Sequence, residues 1–378
     1  MPAADRAAAW LRDAIARGDF PSGAWLPAER DLAERIGVGR PAVREAIAAL
    51  LREGVLERRP GGRPRIASWA AGSYGRASTS AAGRFIVAAV IPQPPTYTTA
   101  HAIQAGLSRA LGGSTPRPGL LVYDSYLAGP LGPGLGVHPE IEAFHRAEAE
   151  GAAGVVVWGC GADGAEEMLL RMQRSGMAVV FVDHRPKSLA FDFVGVENRS
   201  GIRAAVEHLH ALGHRRIAYL SHPDRGSAVV EREEGYTEAL HDLGHRADPA
   251  MLYRGGRSLS VRAREALEQF MAHPTPPTAV VAVNDLHAFE LIQAAQERGL
   301  KVPGNLSVVG FDDAEQFSPH QSMLTTVRQP FREIGYCAGE LLLRRIAEGS
   351  APVGIRIHTL LAPTLTVRTT TARPSRRS

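Results

Sequence analysis

The chain has 378 residues, enough for two or three domains, and its 44% hydrophobic and 22% charged residues are those of an ordinary globular protein. Two cysteines, Cys160 and Cys337, exclude a disulfide scaffold and an all-cysteine metal site, and a net charge of +4 permits a nucleic-acid partner without requiring one. No apolar run approaches the roughly 18 residues of a membrane span, and Asp5, Arg6, Arg12 and Asp13 break any signal-peptide core, so a cytoplasmic protein with no membrane partner is expected.

Residues 1–68 read as helix, helix, turn, helix and hairpin. Trp10, Leu11, Ala14 and Ile15 recur at helical spacing, and Gly18 stops that helix. Leu32, Ala33 and Ile36 mark one face of Ala28–Ile36, and Gly37-Val38-Gly39 is a tight turn. A third helix starts near Arg40 with Pro41 in its first turn and Val43, Ile47, Leu50 and Leu51 as its buried stripe, and Gly54 ends it. Two short strands, Val55–Arg58 and Arg65–Ser68, flank a loop at 60–64. Residues 69–84 carry Gly, Ser, Thr and Ala without apolar periodicity and read as a flexible linker.

From Phe85 onward, buried strands alternate with amphipathic helices. Strands are expected at 85–91, 120–123, 154–157, 178–182, 193–196, 217–220, 278–283 and 306–311. Helices are expected at 100–111, 140–150, 164–175, 199–212, 231–243, 260–272, 286–299 and 331–347. Such alternation predicts parallel sheets with helices on both faces. Eight units exceed one ordinary sheet, so two doubly wound lobes are expected over 85–368, with strand ends converging on a cleft. Residues 369–378 read as a disordered tail.

Two groups of residues carry chemistry. Arg40 and Arg44 are four apart, on the face opposite the apolar stripe of the third helix. A helix after a tight turn, with arginines at its exposed N-terminal end, suits the DNA major groove, where Arg bonds guanine O6 and N7. Arg30 on the preceding helix could reach phosphate, and Arg63 and Arg65 lie on the hairpin. The competing reading is a solvated helix face. In the larger half, Asp183, Asn284, Asp312 and Asp313 close buried strands, Gln329 follows 324–327, and Arg232 opens a helix after a loop with Ser221, His222, Asp224 and Ser227. Carboxylates, amides and a guanidinium at strand ends suit a polyhydroxyl ligand. The competing reading is that they cap helices.

These residues also carry a resemblance. LPAERDLAERIGVGRPAVREAIAALLREGVLERR resembles the GntR-type winged helix-turn-helix over residues 6–68. The resemblance implies DNA contacts by Arg30, Arg40 and Arg44 and by the wing tip, Gly61-Gly62-Arg63. Gly39 and Pro41 stand where the family usually has hydroxyl residues, and Pro41 falls within the same DNA-facing turn. VEHLHALGHRRIAYLSH (206–222), EREEGYTEAL (231–240), VAVNDLHAFELIQAAQERGLKVPGNLSVVGFDD (281–313) and LTTVRQP (324–330) closely resemble the LacI/GalR-type sensor, over about residues 85–368. The joint resemblance, as in arabinose-type repressors, implies a small α+β winged helix-turn-helix domain followed by an α/β two-lobed periplasmic-binding-protein-like domain. It implies Asp183, Arg232, Asn284, Asp312 and Gln329 as effector residues. Arg257, in Gly255-Gly256-Arg257-Ser258, stands where that family often stacks an aromatic ring on a sugar, and makes an anionic sugar derivative worth testing.

The expected function is a ligand-responsive bacterial repressor of carbohydrate genes: a homodimer with operator DNA and a carbohydrate effector as partners, and neither cofactor nor metal. The alternative is a GntR-type head on another non-sugar-sensing domain or on an enzyme-like, pyridoxal-phosphate-type one. That chemistry needs a Schiff-base lysine, and the only two lysines, Lys187 and Lys301, lie in unsuitable loops. A hydrolase lacks a Gly-x-Ser-x-Gly elbow, and the histidines lack zinc spacing, His208, His210 and His214 reading instead as surface or capping residues.

Overall fold

The computed structural model describes residues 3–16, 20, 24–52, 56–57, 63–66, 85–93, 98–126, 138–159, 161–188, 190–223, 226–246, 248–256, 258–313, 323–349 and 356–375. The linker read at 69–84 lies outside them, as do Gly61, Gly62, Cys160, Asp224 and Arg257.

The head follows the apolar spacing of its sequence. Helices α1 (Ala3–Ala16), α2 (Glu29–Ile36) and α3 (Arg40–Arg52) precede a short antiparallel pair, β1 (Leu56–Glu57) and β2 (Arg65–Ile66). Leu11 and Ile15 from α1, Leu32 from α2 and Val43, Ile47 and Leu50 from α3 share one core. Gly37 ends α2 at φ +71°, its N–H bonded to Ala33 O, a left-handed cap that glycine adopts at little cost. That cap makes the turn tight enough for α3 to pack across α2.

Two six-stranded sheets follow. The first runs β13-β7-β6-β5-β3-β4 and is parallel throughout. Its strands are β3 (Ile86–Ile91), β4 (Gly119–Asp124), β5 (Gly154–Val157), β6 (Ala178–Val182), β7 (Asp192–Val196) and β13 (His358–Leu361). The second runs β14-β12-β11-β10-β8-β9, with only β14 antiparallel. Its strands are β8 (Ile217–Leu220), β9 (Leu252–Tyr253), β10 (Ala279–Ala282), β11 (Ser307–Asp312), β12 (Thr325–Arg328) and β14 (Thr364–Thr366). Along β3, Val87, Ala89 and Ile91 enter one core and Ala88 and Val90 another. This is the alternation of a strand buried on both faces.

Helices α4 (Thr99–Gly112), α5 (Pro139–Ala149) and α6 (Ala165–Arg174) cover the first sheet. The second carries α7 (Asn198–Ala211), α8 (Ser227–Asp242), α9 (Leu259–Ala272) and α10 (Asp285–Glu297). The last helix, α11 (Phe331–Glu348), returns from the second lobe to the first, so the chain crosses between lobes after β7, after β12 and between β13 and β14. Helices α4 and α11 touch through glycines: a Cβ on Gly106 would lie 1.9 Å from Arg332 O, and one on Gly335 2.0 Å from Ile103 O. Arg345 in α11 forks onto buried Asp192 (2.7 and 2.9 Å), whose Oδ1 also accepts Ile357 N–H. The crossovers are thereby fixed to the start of β7.

Two sequence expectations need correction. The tail read as disordered from 369 is ordered through 375: Thr370 is buried, Val308 N–H donates to Thr370 O, and Ala372 O lies 2.9 Å from His214 Nε2. Polar threonines looked like a free end because their partners are distant in sequence. His214, read as surface or capping, is buried and held between Thr278, Ser307 and Ala372.

Candidate functional site

On the head, α3 presents Arg40, Pro41 and Arg44 to solvent, opposite buried Val43 and Ile47. The pattern RPAVREAI places these residues on that face because a helix repeats every 3.6 residues. Arg44 is not free. Its Nη2 donates to Glu29 Oε2 (2.9 Å) and its Nε faces both oxygens (3.3 and 3.4 Å), which raises its pKa further. Arg30 is exposed beside Asp31 (3.5 Å). Arg63, two residues before β2, donates to Leu26 O (3.1 Å), fastening the hairpin to the segment before α2. The structure thus brings Arg40 and Arg44 to one exposed face, while the wing-tip glycines lie outside the described residues.

The second site is a polar seam between the lobes, at the C-terminal ends of the strands. Asp183 follows β6 at φ +62° and Asp312 ends β11 at φ +118°. Neither caps a described helix. Each holds a left-handed conformation that costs a side-chain-bearing residue of order 1–3 kcal/mol, and each is buried. From Arg185, two residues past Asp183, a chain of bonds runs across the seam to Asp312. Arg185 N–H donates to Ser227 Oγ (2.7 Å), and Arg185 Nη2 lies 3.4 Å from Glu231 Oε1. Glu231 Oε2 accepts from Asn198 Nδ2 (2.9 Å), and Asn198 Oδ1 accepts from Arg232 Nε (2.8 Å). Arg232 Nη1 donates to Val283 O (2.8 Å) and lies 3.5 Å from Asp312 Oδ1. Gln329 Nε2 closes the chain on the same Asp312 oxygen (2.8 Å). The Arg232 guanidinium also stacks over Phe311 at 3.9 Å.

The bonds therefore bring together Arg232, Asp312 and Gln329, while Asp183 lies two residues before Arg185 at the first-lobe end of the chain. Three of the seam's buried polar atoms, Asp183 Oδ1, Arg185 Nε and Gln329 Oε1, have no hydrogen-bond partner among the described residues. Such atoms cost roughly 1–3 kcal/mol each unless something binds them. Two are acceptors, so the groups that satisfy them are donors.

Asn284 follows the capping reading instead. Its Oδ1 accepts His287 N–H (3.1 Å) at the start of α10 and also faces His287 Nδ1 (2.6 Å). Arg262 donates to His287 Nε2 (2.7 Å), so the proton of this imidazole sits on Nδ1. Burial, then His222 and Arg262, holds His287 well below its ordinary value of 6.5. The same Arg262 ties down Gly255 O and Gly256 O beside Arg257. Sequence reading missed Arg185, Asn198, Glu231, Arg262 and His287. Asn198 alone had a signal, as a polar residue opening α7 just past a buried strand. Lys187 and Lys301 are both exposed, so neither offers the buried setting of a Schiff-base lysine.

A helix-turn-helix head with a short hairpin, followed by two parallel sheets joined by three crossovers, defines a winged head on a two-lobed periplasmic-binding-protein-like domain. Residues 3–66 match the family described as bacterial regulatory proteins, gntR family, and residues 206–371 match the periplasmic binding protein-like domain. Together the two matches give the chain the architecture of a GntR-type head followed by a LacI-type sensor. The HTH-type transcriptional repressor PurR of Vibrio atlanticus (strain LGP32) is 34% identical over 218 residues, 56% of this chain and 64% of that protein. CytR of Escherichia coli (strain K12), also an HTH-type transcriptional repressor, is 32% identical over 185 residues, 49% and 54% of the two chains. An HTH-type transcriptional regulator in the aml 5′ region of Streptomyces limosus is 34% identical over 237 residues, 62% and 66%. The chain spans between about half and two thirds of these curated relatives. Among solved structures, a LacI family transcriptional regulator from Mycobacterium smegmatis aligns with TM-score 0.62 at 25% identity, over 76% of this chain and all of that one. No described helix is long and apolar enough to cross a membrane, and no group of three or more described His, Cys, Asp or Glu residues is placed to hold a metal ion.

Proposed function

We propose that the protein is a ligand-responsive transcription repressor. The GntR-type head binds operator DNA as a homodimer, and a small donor-rich molecule, such as a sugar or sugar derivative, binds in the seam and releases it. The seam carries this reading, because buried Asp183 Oδ1 and Gln329 Oε1 call for donors and hydroxyl groups supply them. Two strained aspartates at strand ends are what a ligand site holds and a passive core does not. Arg40 and Arg44 on the exposed start of α3 support the DNA half.

The mechanism rests on two arrangements of the lobes. The Arg185 contacts to Ser227 and Glu231 bind one lobe to the other, so a ligand that adds contacts in the seam changes the balance between closed and open arrangements. In a dimer that balance sets the spacing of the two heads, which an operator with two half-sites reads. An anionic ligand reading charge through Arg257 is a narrower second form of the same proposal.

A thermal-shift panel of pentoses, hexoses, sugar acids and sugar phosphates on the full chain tests the ligand class. A sugar that raises the melting temperature of wild type but not of Asp183→Ala supports the seam. A ligand that stabilises both proteins equally places the site elsewhere.

A further inference from the structure

The opposite end of the second lobe holds a separate pocket of about 160 Å³. Its floor is apolar, from Ile217 at the start of β8, Tyr236 and Leu240 on α8, and Met251. Its rim carries Arg215, Arg216, Arg246, His245 and His273 against a single carboxylate, Asp248.

That carboxylate is already committed. Asp248 Oδ1 accepts Ala250 N–H (2.9 Å), and Oδ2 lies 3.1 Å from His273 Nε2. The three arginines have no described carboxylate within ion-pair distance. Arg215 uses Nη1 on the carbonyls of His210 and His214 (2.9 and 3.0 Å), and Arg216 uses Nε on Pro276 O (2.9 Å). Arg246 makes no hydrogen bond among the described residues. Elsewhere on this lobe the surface arginines of the helices are neutralised: Arg199 by Glu234 and Glu238, Arg203 by Asp242, Arg264 by Glu297 and Arg298 by Glu268. Unneutralised guanidinium groups are therefore concentrated at this cavity rather than spread over the surface.

We propose that this pocket is a binding site for a small oxyanion, phosphate or the phosphate group of an ester, distinct from the seam. Guanidinium N–H forks match phosphate oxygens in pairs. Backbone carbonyls hold Arg215 and Arg216 in place, so part of the ordering cost is met before the anion arrives. The cavity is below the few hundred Å³ of sites for drug-sized ligands, which fits a phosphate group and not a whole nucleotide. The site lies at the N-terminal end of β8, whereas the seam lies at the strands' C-terminal ends, so it does not depend on the sensor reading.

The test is isothermal titration calorimetry of sodium phosphate into the full chain, with sodium chloride adjusted to hold ionic strength constant. The variants are Arg246→Gln, Arg216→Gln, Arg264→Gln and Arg40→Gln, each checked by circular dichroism. Arg246 is exposed and makes no described bond, so its replacement leaves folding intact. The proposal expects one saturable site, weakened tenfold or more in Arg246→Gln and Arg216→Gln and unchanged in Arg264→Gln and Arg40→Gln. A second arm with glycerol 3-phosphate separates sources: tighter binding than inorganic phosphate points to an ester, weaker binding to the free ion. No saturation, an unchanged affinity in Arg246→Gln, or a loss confined to Arg40→Gln overturns the assignment.

Discussion

Replacing Arg232 with Met removes the centre of the seam. Met keeps the bulk of the stem but carries neither donors nor charge, so the guanidinium stacking over Phe311 is lost as well. Asn198 Oδ1 and Val283 O then lose the guanidinium donors, and Asp312 loses the cation beside it while keeping Gln329. Arg232 and Asp312 are 5% and 6% exposed, so water does not readily replace what is lost. Each orphaned acceptor costs about 1–3 kcal/mol, and removing one partner of a buried ion pair typically costs about 3–5 kcal/mol. We expect Arg232→Met to destabilise the sensor by about 3–5 kcal/mol in urea unfolding followed by circular dichroism. Asp183→Asn is the contrast: Asp183 Oδ1 has no described partner, so its loss should cost under about 1 kcal/mol. A cost for Arg232→Met below about 1 kcal/mol, or equal costs for the two variants, would refute the view that Arg232 holds the seam together. It also follows that a lost effector response in an Arg232 variant reports folding as well as ligand contact, whereas Asp183 isolates the contact.

Other consequences are as direct. Glu29→Ala frees the Arg44 guanidinium and removes a carboxylate from the DNA-facing side; non-specific DNA affinity should rise several-fold while preference for a selected site narrows, and unchanged binding curves at two salt concentrations would count against it. Gly335→Ala drives a methyl group against Ile103 O, so it should cost about 1–3 kcal/mol as overpacking does, and a melting temperature equal to wild type would show that α4 and α11 can separate freely. His208, His214 and His287 are all held below 6.5, in each case chiefly by burial. Below that value the unfolded chain binds more protons than the folded one, so the stability present above 6.5 should drain away as pH falls. Melting scans at about pH 7.5 and about pH 5.5 should therefore show the lower transition at the acid end, and the reverse order would contradict the burial of these rings.

The long apolar strands and helix faces were legible because burial on both sheet faces leaves a continuous signal, as in β5, where Val155, Val156 and Val157 follow one another and all are buried. Strands β13 and β14 were not, because they sit at sheet edges with half-exposed side chains. Helix α8 begins at Ser227, four residues before its apolar pattern. In the seam, Asp183, Arg232, Asp312 and Gln329 were legible as polar residues at strand and helix ends. Arg185 and Glu231 were not, since a surface-looking Arg and Glu become partners only when two lobes meet. Asn284 reads the same in sequence as the others and turns out to be a helix cap, a distinction that only the His287 bonds reveal.

Whether the seam controls the head is decided by fluorescence anisotropy on a DNA duplex selected from a random pool by the full chain. A sugar found in the thermal-shift panel is titrated into the preformed complex of wild type and of Asp183→Ala. Wild type should release the duplex as the sugar saturates, while Asp183→Ala should bind the duplex with wild-type affinity and hold it throughout. A sugar that saturates wild type without changing its affinity for DNA would contradict the coupling.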